Sequence, residues 1–281
     1  MLLHSDDGGD SELVAGSREI EGMSVVSEQD QEVAGSDDGE QRPRRVMVVV
    51  AHPDDAEFGC AGTIAKWAAE GQEIIYVLGT SGDKGSDDLS MTSEQLMAMR
   101  EAEQRSACDI LGVREVVFLR MPDAELVPDL AMRKTLTRVI RQHKPDAVFC
   151  QDPTARWEGS FYIQHPDHLA MGEASLAAIF PSARDRLTFP DLLAEGLEPH
   201  KVTEVYIGAS QEKCDFFVGI DEQLETKFAS LAAHTSQMGD WDFRPMLSRW
   251  ARDVAADARQ KSFPGSDDWN FAEGYKLIRL D

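Results

Sequence analysis

Basic residues are scarce in this chain: 28 Lys and Arg stand against 51 Asp and Glu, a formal net charge of −23 over 281 residues. Nucleic-acid binding draws on clustered Lys and Arg, and adhesion to anionic membranes draws on the same charge. Neither is expected here. A long apolar run is also missing, since no stretch approaches the roughly 18 residues that a membrane span requires. The start, Met1-Leu2-Leu3-His4-Ser5-Asp6-Asp7, has neither the basic nor the apolar region of a secretory leader. A cytosolic protein is expected. Cysteine is sparse: Cys60, Cys108, Cys150 and Cys214 are scattered without a Cys-x-x-Cys pair, and they read as buried free thiols in a reducing compartment. There is no internal repeat. The glycine-rich stretch Ser81–Asp88 lacks the spacing of a P-loop.

Apolar residues are thinnest at the N-terminus. Residues 1–42 hold twelve acidic and two basic residues, a net of −10, which leaves −13 for the rest. Such a segment buries too little apolar surface to offset its ordering entropy, so it reads as a disordered acidic tail. Residues 43–281 then form one catalytic-size α/β domain with room for a substantial core.

What is present centres on the stretch from Val48 to Thr63, Val-Val-Val-Ala-His-Pro-Asp-Asp-Ala-Glu-Phe-Gly-Cys-Ala-Gly-Thr. The β-branched run through Ala51 reads as a strand buried on both faces. It ends in His52-Pro53-Asp54-Asp55, and an apolar helical pattern follows. In open α/β sheets, ligands bind at such carboxyl ends of parallel strands. His52 and Asp55, three apart, can reach one point. An imidazole and a carboxylate suit Zn²⁺ or another divalent metal, and Asp54 is left free to act as a base. Strands are expected at 73–80, 116–119, 147–150, 203–209 and 216–220. Helices are expected at 93–111, with Ser93 as N-cap, and at 129–142, 166–179, 222–234 and 241–258.

A second polar cluster follows the strand at 147–150. The loop Gln151–Gln164 carries Arg156, Trp157, Phe161 and Tyr162. A loop of this length is often functional, and its aromatics suit the faces of a pyranose or else form a surface plug. Then comes His165-Pro166-Asp167-His168, with Pro166 at the first position of a helix and His165 at its N-cap. His168 lies three residues on, near the same side of the helix start. Two such clusters at two strand ends predict one shared metal site.

The run Ala51–Thr63 resembles the signature of the LmbE-like, PIG-L family of metal-dependent de-N-acetylases, and the resemblance extends from about residue 44 to the end. It implies a three-layer, Rossmann-like α/β fold with a mostly parallel sheet flanked by helices. It implies Zn²⁺, with Fe²⁺ or another divalent ion as substitute, held by His52, Asp55 and His168. Asp54 then serves as general base and His165 as the partner of the developing oxyanion, with Asp167 orienting His165. Arg100 resembles a family arginine of the substrate pocket, although an i,i+3 pair with Glu103 would also occupy it. Asp123 resembles a substrate-contacting carboxylate, although Pro-Asp is also a common turn. With Trp157, these two would hold the sugar. Lys227 and His234-Thr235-Ser236-Gln237 resemble a late structural element, and Phe271–Tyr275 the closing one.

The expected activity is removal of an N-acetyl group from an N-acetylglucosamine-type sugar, a small-molecule substrate, giving acetate and a free amine. GlcNAc–malate, GlcNAc–inositol, chitobiose and antibiotic substrates are not distinguished, and homo-oligomerisation stays open. Two other readings use the same ligands: a non-haem iron enzyme with two histidines and one carboxylate, and a non-catalytic metal-dependent sugar-binding module.

Overall fold

The computed structural model describes residues 44–281 except 159 and 161. The expectations for residues 1–42 and for Phe161 lie outside the described residues. In chain order, the first half comprises β1 (Arg45–Val50), α1 (Asp55–Gly59), α2 (Ala61–Ala69), β2 (Glu73–Thr80), α3 (Ser93–Leu111), β3 (Glu115–Met121), α4 (Leu130–His143) and β4 (Ala147–Gln151). The second half comprises β5 (Trp157–Glu158), β6 (Tyr162–Ile163), α5 (Pro166–Ala177), α6 (Pro190–Ala194), β7 (Glu204–Gly208), β8 (Phe216–Gly219), α7 (Leu224–Ala232), α8 (Thr235–Met238), α9 (Arg244–Gln260) and β9 (Ala272–Arg279). Among the described residues, no helix is long and apolar enough to cross a membrane.

The main sheet has the order β3-β2-β1-β4-β7-β9-β8. The pairs β1–β2, β1–β4, β2–β3 and β4–β7 are parallel, whereas β9 runs antiparallel to both β7 and β8. Period-2 alternation divides β1 between two cores. Val46, Val48 and Val50 pack with Ile64, Trp67, Leu111, Phe228 and Leu247 on one face. Met47, Val49 and Ala51 pack with Leu136, Ile140, Met171 and Ile179 on the other. Helices cover both faces, and this is the expected three-layer α/β architecture. All four cysteines are buried free thiols.

Local chemistry sets the element ends. The N-cap of α3 is Thr92, one residue before the expected Ser93. Thr92 Oγ1 accepts from Gln95 N at 3.3 Å, and Gln95 Oε1 accepts from Thr92 N at 3.0 Å. This reciprocal box needs Gln at the third helical position, which selects Thr92. The strand β9 is absent from the sequence-based element list. Its buried Glu273 and its Gly274 interrupt the apolar alternation that marks a strand. Glu273 is buried because it has partners: it pairs with Lys227 and accepts from the Gly62 and Thr63 backbone N–H groups at 3.0 and 2.7 Å. The late Lys227 thus ties α7 and β9 to the start of α2, the structural role the resemblance implied.

Strand order reverses between β1 and β4, which run side by side while their connections depart in opposite directions. Loops leaving their carboxyl ends open a crevice there. At its edge α5 approaches β4 so closely that a Cβ on Gly172 would lie 2.4 Å from the Gln151 carbonyl oxygen. Glycine is required for this contact, which sets α5, and the histidines at its start, against the end of β4.

Candidate metal centre

Three side chains meet at the crevice. His52 Nδ1 lies 3.3 Å from His168 Nε2 and 3.5 Å from Asp55 Oδ2, and His168 Nε2 lies 3.1 Å from Asp55 Oδ1. Each is fixed from behind. Gln151, at the end of β4, donates from Nε2 to Asp55 Oδ2 at 3.1 Å, while its Oε1 accepts from Ala51 N, also at 3.1 Å. Gln164 Oε1 accepts from His165 N at 3.1 Å and faces His168 Nδ1 at 2.9 Å. An amide oxygen only accepts, so His168 carries its proton on Nδ1 and leaves the Nε2 lone pair toward the common point.

The same logic fixes His52 from the other side. Its Nε2 faces Asp123 Oδ1 at 3.1 Å and Asp167 Oδ2 at 3.2 Å. Ionised carboxylates only accept, so Nε2 is held as the donor and Nδ1 is the nitrogen left facing the common point. Burial works against charge on this ring, yet the carboxylates of Asp123, Asp167 and Asp55 hold His52 up to about 11. Burial likewise opposes ionisation of Asp55, but His168 and His52 keep its carboxyl well below the usual range. The pocket therefore gathers anionic oxygen around two imidazoles, and a divalent cation would take the place of the Nδ1 proton that this charge holds on His52. Two nitrogens and one carboxylate, aimed at one point, fit a divalent cation of the zinc class.

Two expectations meet a different geometry. Asp167 reads in sequence as the group that orients His165. Its carboxylate instead contacts His52 and accepts from the Ala124 and Leu126 N–H groups at 2.7 and 3.1 Å. Its backbone N–H donates to His165 Nδ1 at 3.2 Å, while its carboxylate acts on His165 through charge and not through a hydrogen bond. At the second position of α5 the side chain reaches the loop after β3, where two backbone N–H groups hold it beside His52. Asp123 reads as a substrate contact. It is buried, its Oδ1 faces His52, and its Oδ2 accepts from Lys84 N at 3.1 Å. Those bonds use both carboxylate oxygens.

Beside the three donors, Asp54 occupies a left-handed backbone conformation, φ +81°. That region is uncommon outside glycine and is best tolerated by Asn and Asp. Its N–H donates to Gln104 Oε1 at 3.2 Å. Arg100 holds the turn: it donates to the Pro53 carbonyl at 2.9 Å, to Asp54 Oδ2 at 3.2 Å and to the Gly82 carbonyl at 3.0 Å. The alternative pairing with Glu103 is not made, because Glu103 accepts from Thr235 and Ser236 instead. Burial and the neighbouring Asp55 charge push the Asp54 carboxyl up to about 7, with Arg100 acting in opposition. Gly82 makes room for the clamp. It has φ +64°, and a Cβ there would lie 2.2 Å from Arg100 Nη1.

His165 stands on the open side, its ring 4.7 Å from that of His52 in an edge-on arrangement. Because Nδ1 accepts from Asp167 N, the neutral ring carries its proton on Nε2. Burial and the charges of His52 and His168 lower its pKa. Trp157 lies on the β5–β6 hairpin and is 71 % exposed. It shares a cavity wall with Gln164 rather than touching the three donors. The sequence reading misses Gln104, Gln151 and Gln164. Gln151 and Gln164 bound the long loop and are signalled only by that position, while Gln104 carries no local signal.

Known proteins resemble this chain over most of its length. A family model described as PIG-L, GlcNAc-PI de-N-acetylase, matches residues 47–179. The diacetylchitobiose deacetylase of Thermococcus kodakarensis is 32 % identical over 84 % of this chain and 83 % of that protein. A 1D-myo-inositol 2-acetamido-2-deoxy-alpha-D-glucopyranoside deacetylase of Saccharopolyspora erythraea is 28 % identical, covering 74 % of this chain and 80 % of that one. Among solved structures, the N,N′-diacetylchitobiose deacetylase of Pyrococcus horikoshii superposes with a TM-score of 0.75 at 28 % identity, over 85 % of each chain.

Proposed function

The chain belongs to the PIG-L family of de-N-acetylases, and from this premise we propose that it hydrolyses the acetamide of an N-acetylglucosamine-type sugar with a divalent ion, zinc, held by His52, Asp55 and His168. The observation that carries the reading is the tautomer lock. Gln164 behind His168, and Asp123 with Asp167 behind His52, turn the other imidazole nitrogen of each toward the Asp55 carboxylate.

When bound, a divalent cation supplies Lewis acidity, lowering the pKa of water in its shell and polarising a carbonyl. The chain supplies the proton movements. Asp54, clamped by Arg100, takes a proton from the water that attacks the acetamide carbon. This step contributes on the order of 10²–10⁴-fold. His165 presents Nε2–H to the carbonyl oxygen as charge develops there, a preorganised donor of the oxyanion type. The C–N bond then breaks, acetate departs, and the proton held by Asp54 passes to the amine. Asp123 and Asp167 hold His52 in register. An iron oxygenase or a binding module gives Asp54, set in a costly backbone conformation, no task.

The test is acetate release from a panel of N-acetyl amino sugars by protein treated with chelator and then resupplied with zinc. Release is expected to vanish on chelation and to return with zinc. Undiminished release by protein shown to be metal-free contradicts the proposal.

A further inference from the structure

Behind the turn that carries Asp54 lies a line of buried polar side chains that the chemistry above does not use. Gln104 is buried, and Glu57 and His234 have no exposure at all. Gln104 Oε1 accepts from Asp54 N at 3.2 Å, and its Nε2 donates to Glu57 Oε1 at 3.0 Å. Glu57 Oε2 lies 3.4 Å from His234 Nε2, within ion-pair distance but outside hydrogen-bond geometry. The line thus runs from the start of α8 to the backbone of Asp54. Its direction is fixed. A backbone N–H only donates, so the Gln104 oxygen faces Asp54 and its NH₂ faces Glu57. A flipped amide would set an NH₂ against the Asp54 N–H and an oxygen against the carboxylate.

Helix α3 joins this line to the Arg100 clamp. Arg100, Glu103 and Gln104, at i, i+3 and i+4, share one face of the helix. Arg100 holds the Asp54 carboxylate and Gln104 holds its N–H. Glu103 docks α8, accepting from Thr235 Oγ1 at 2.8 Å and from Ser236 N and Oγ at 2.7 and 2.6 Å. Gln237 Nε2 donates to the Gly85 carbonyl at 3.1 Å, in the loop whose Gly82 carbonyl receives Arg100. His234 starts α8, yet its ring does not cap that helix and stands against Glu57 instead. Packing alone does not ask for such groups. Burying an amide, a carboxylate and an imidazole costs stability unless each polar atom is paired, and apolar residues of like size would fill the space more cheaply. Here, among the described residues, Glu57 Oε2 and both ring nitrogens of His234 make no hydrogen bond. Buried atoms left unpaired are rare in plain cores. What the line supports is costly too. Asp54 sits at φ +81°, and a non-glycine residue persists there only where its surroundings over-determine it.

We propose that Gln104, backed by Glu57 and His234, is a positioning residue for the general base, holding the Asp54 peptide so that the carboxylate stays aimed at the attacking water. The proposal rests on the deacetylase reading above. The late His234–Gln237 element then serves turnover through Asp54 and not the fold alone.

The test exchanges the two ends of the Gln104–Glu57 bond. Gln104→Glu alone sets two carboxylates face to face. Joined with Glu57→Gln it restores both hydrogen bonds, because the new carboxylate still accepts from Asp54 N and the new amide donates to it. Gln104→Leu removes both. The zinc-loaded full chain and each variant are assayed below their melting transitions for acetate release from a panel of N-acetyl amino sugars, with bound zinc measured alongside. Gln104→Glu and Gln104→Leu should each lower kcat by roughly 10-fold or more while KM and zinc content hold, the pattern of a misplaced group that acts in the transition state. The exchange should recover most of that loss, a coupling that a purely structural role would show in melting temperature and not in kcat. Should Gln104→Glu not fold, the exchange read against Gln104→Leu makes the same comparison. An active wild type with kcat unchanged in Gln104→Leu overturns the proposal alone, and so does an exchange that recovers nothing. Zinc lost from Gln104→Leu overturns it too, since the line would then serve the ion and not the base. No acetate from the wild type on any sugar removes the deacetylase reading and this proposal together.

Discussion

The loop after β1 and the loop after β4 leave neighbouring strands at the same sheet edge, yet they are held in opposite ways. The first, from Ala51 to Asp55, is short and is gripped from four sides by Arg100, Gln104, Gln151 and its own His52–Asp55 turn. The second is long and runs out into a two-stranded hairpin that places Trp157 in solvent before it returns at Gln164. Among its described residues, only the two ends, Gln151 and Gln164, are bonded to Asp55 and His168. The difference separates tasks. On the proposed function, the groups that would hold an ion and move a proton sit where nothing yields, and the groups that would meet a variable substrate sit where the chain can differ without disturbing them.

This contrast is most exposed to substitution behind His52. Asp167→Asn keeps the shape and removes the charge that holds the proton on Nε2, and partners of this kind typically cost 10–100-fold in metal affinity when lost. Competition with a chromophoric chelator would measure it. If Asp167 served His165 instead, affinity would hold while kcat fell. A smaller loss is expected at Gly82. Gly82→Ala meets both a positive φ and the Arg100 guanidinium, a combination expected to cost roughly 1–3 kcal/mol. The readout is the urea midpoint, accompanied by a drop in kcat because the clamp on Asp54 shifts. Loss of neither would mean that Arg100 is not positioned through this contact.

The open loop should respond differently. Trp157→Ala is expected to leave the melting temperature unchanged and to raise KM by several-fold with kcat little altered, the pattern of binding shared by ground and transition states. A fall in kcat matching that of the gripped loop would erase the distinction. The smallest effect concerns acid. Arg120, with Ser81 and Arg105, holds the Glu101 carboxyl down at about 2, from its ordinary 4.5, with burial in opposition. The folded pKa is the lower one, so this contribution is fully present above about 4.5 and is lost as pH falls toward about 2. Glu101→Gln should therefore shallow the decline in stability across that window, as chemical denaturation at stepped pH would show. An unchanged slope would contradict the assignment.

What could be read in the sequence follows from how local each feature is. His52-Pro53-Asp54-Asp55 is a turn whose donors lie three residues apart, and His165-Pro166-Asp167-His168 is a helix start. Both are decided within a few residues, and the parallel β–α pattern placed them on one sheet edge. Asp167 was misdirected because its target depends on how α5 seats against β4, which a contact between Gly172 and Gln151 sets across twenty-one positions of sequence. Asp123 turned inward for a similar reason, since Lys84 from another strand's loop fixes its second oxygen. The glutamines left little mark, Gln151 and Gln164 only their place at the ends of the long loop, because amides recur throughout polar segments. The strand β9 escaped because Glu273 is apolar in neither type nor pattern, and its burial depends on Lys227, distant in the chain.

The central claim is the division of labour between two adjacent aspartates. The direct measurement is bound zinc by elemental analysis, alongside acetate release, for Asp54→Asn and Asp55→Asn. Asp54→Asn should keep stoichiometric zinc and its fold while kcat falls by roughly 10²-fold or more. Asp55→Asn should lose zinc affinity at concentrations that saturate the wild type. Zinc lost by Asp54→Asn and kept by Asp55→Asn would reverse the roles of the two residues and contradict the account.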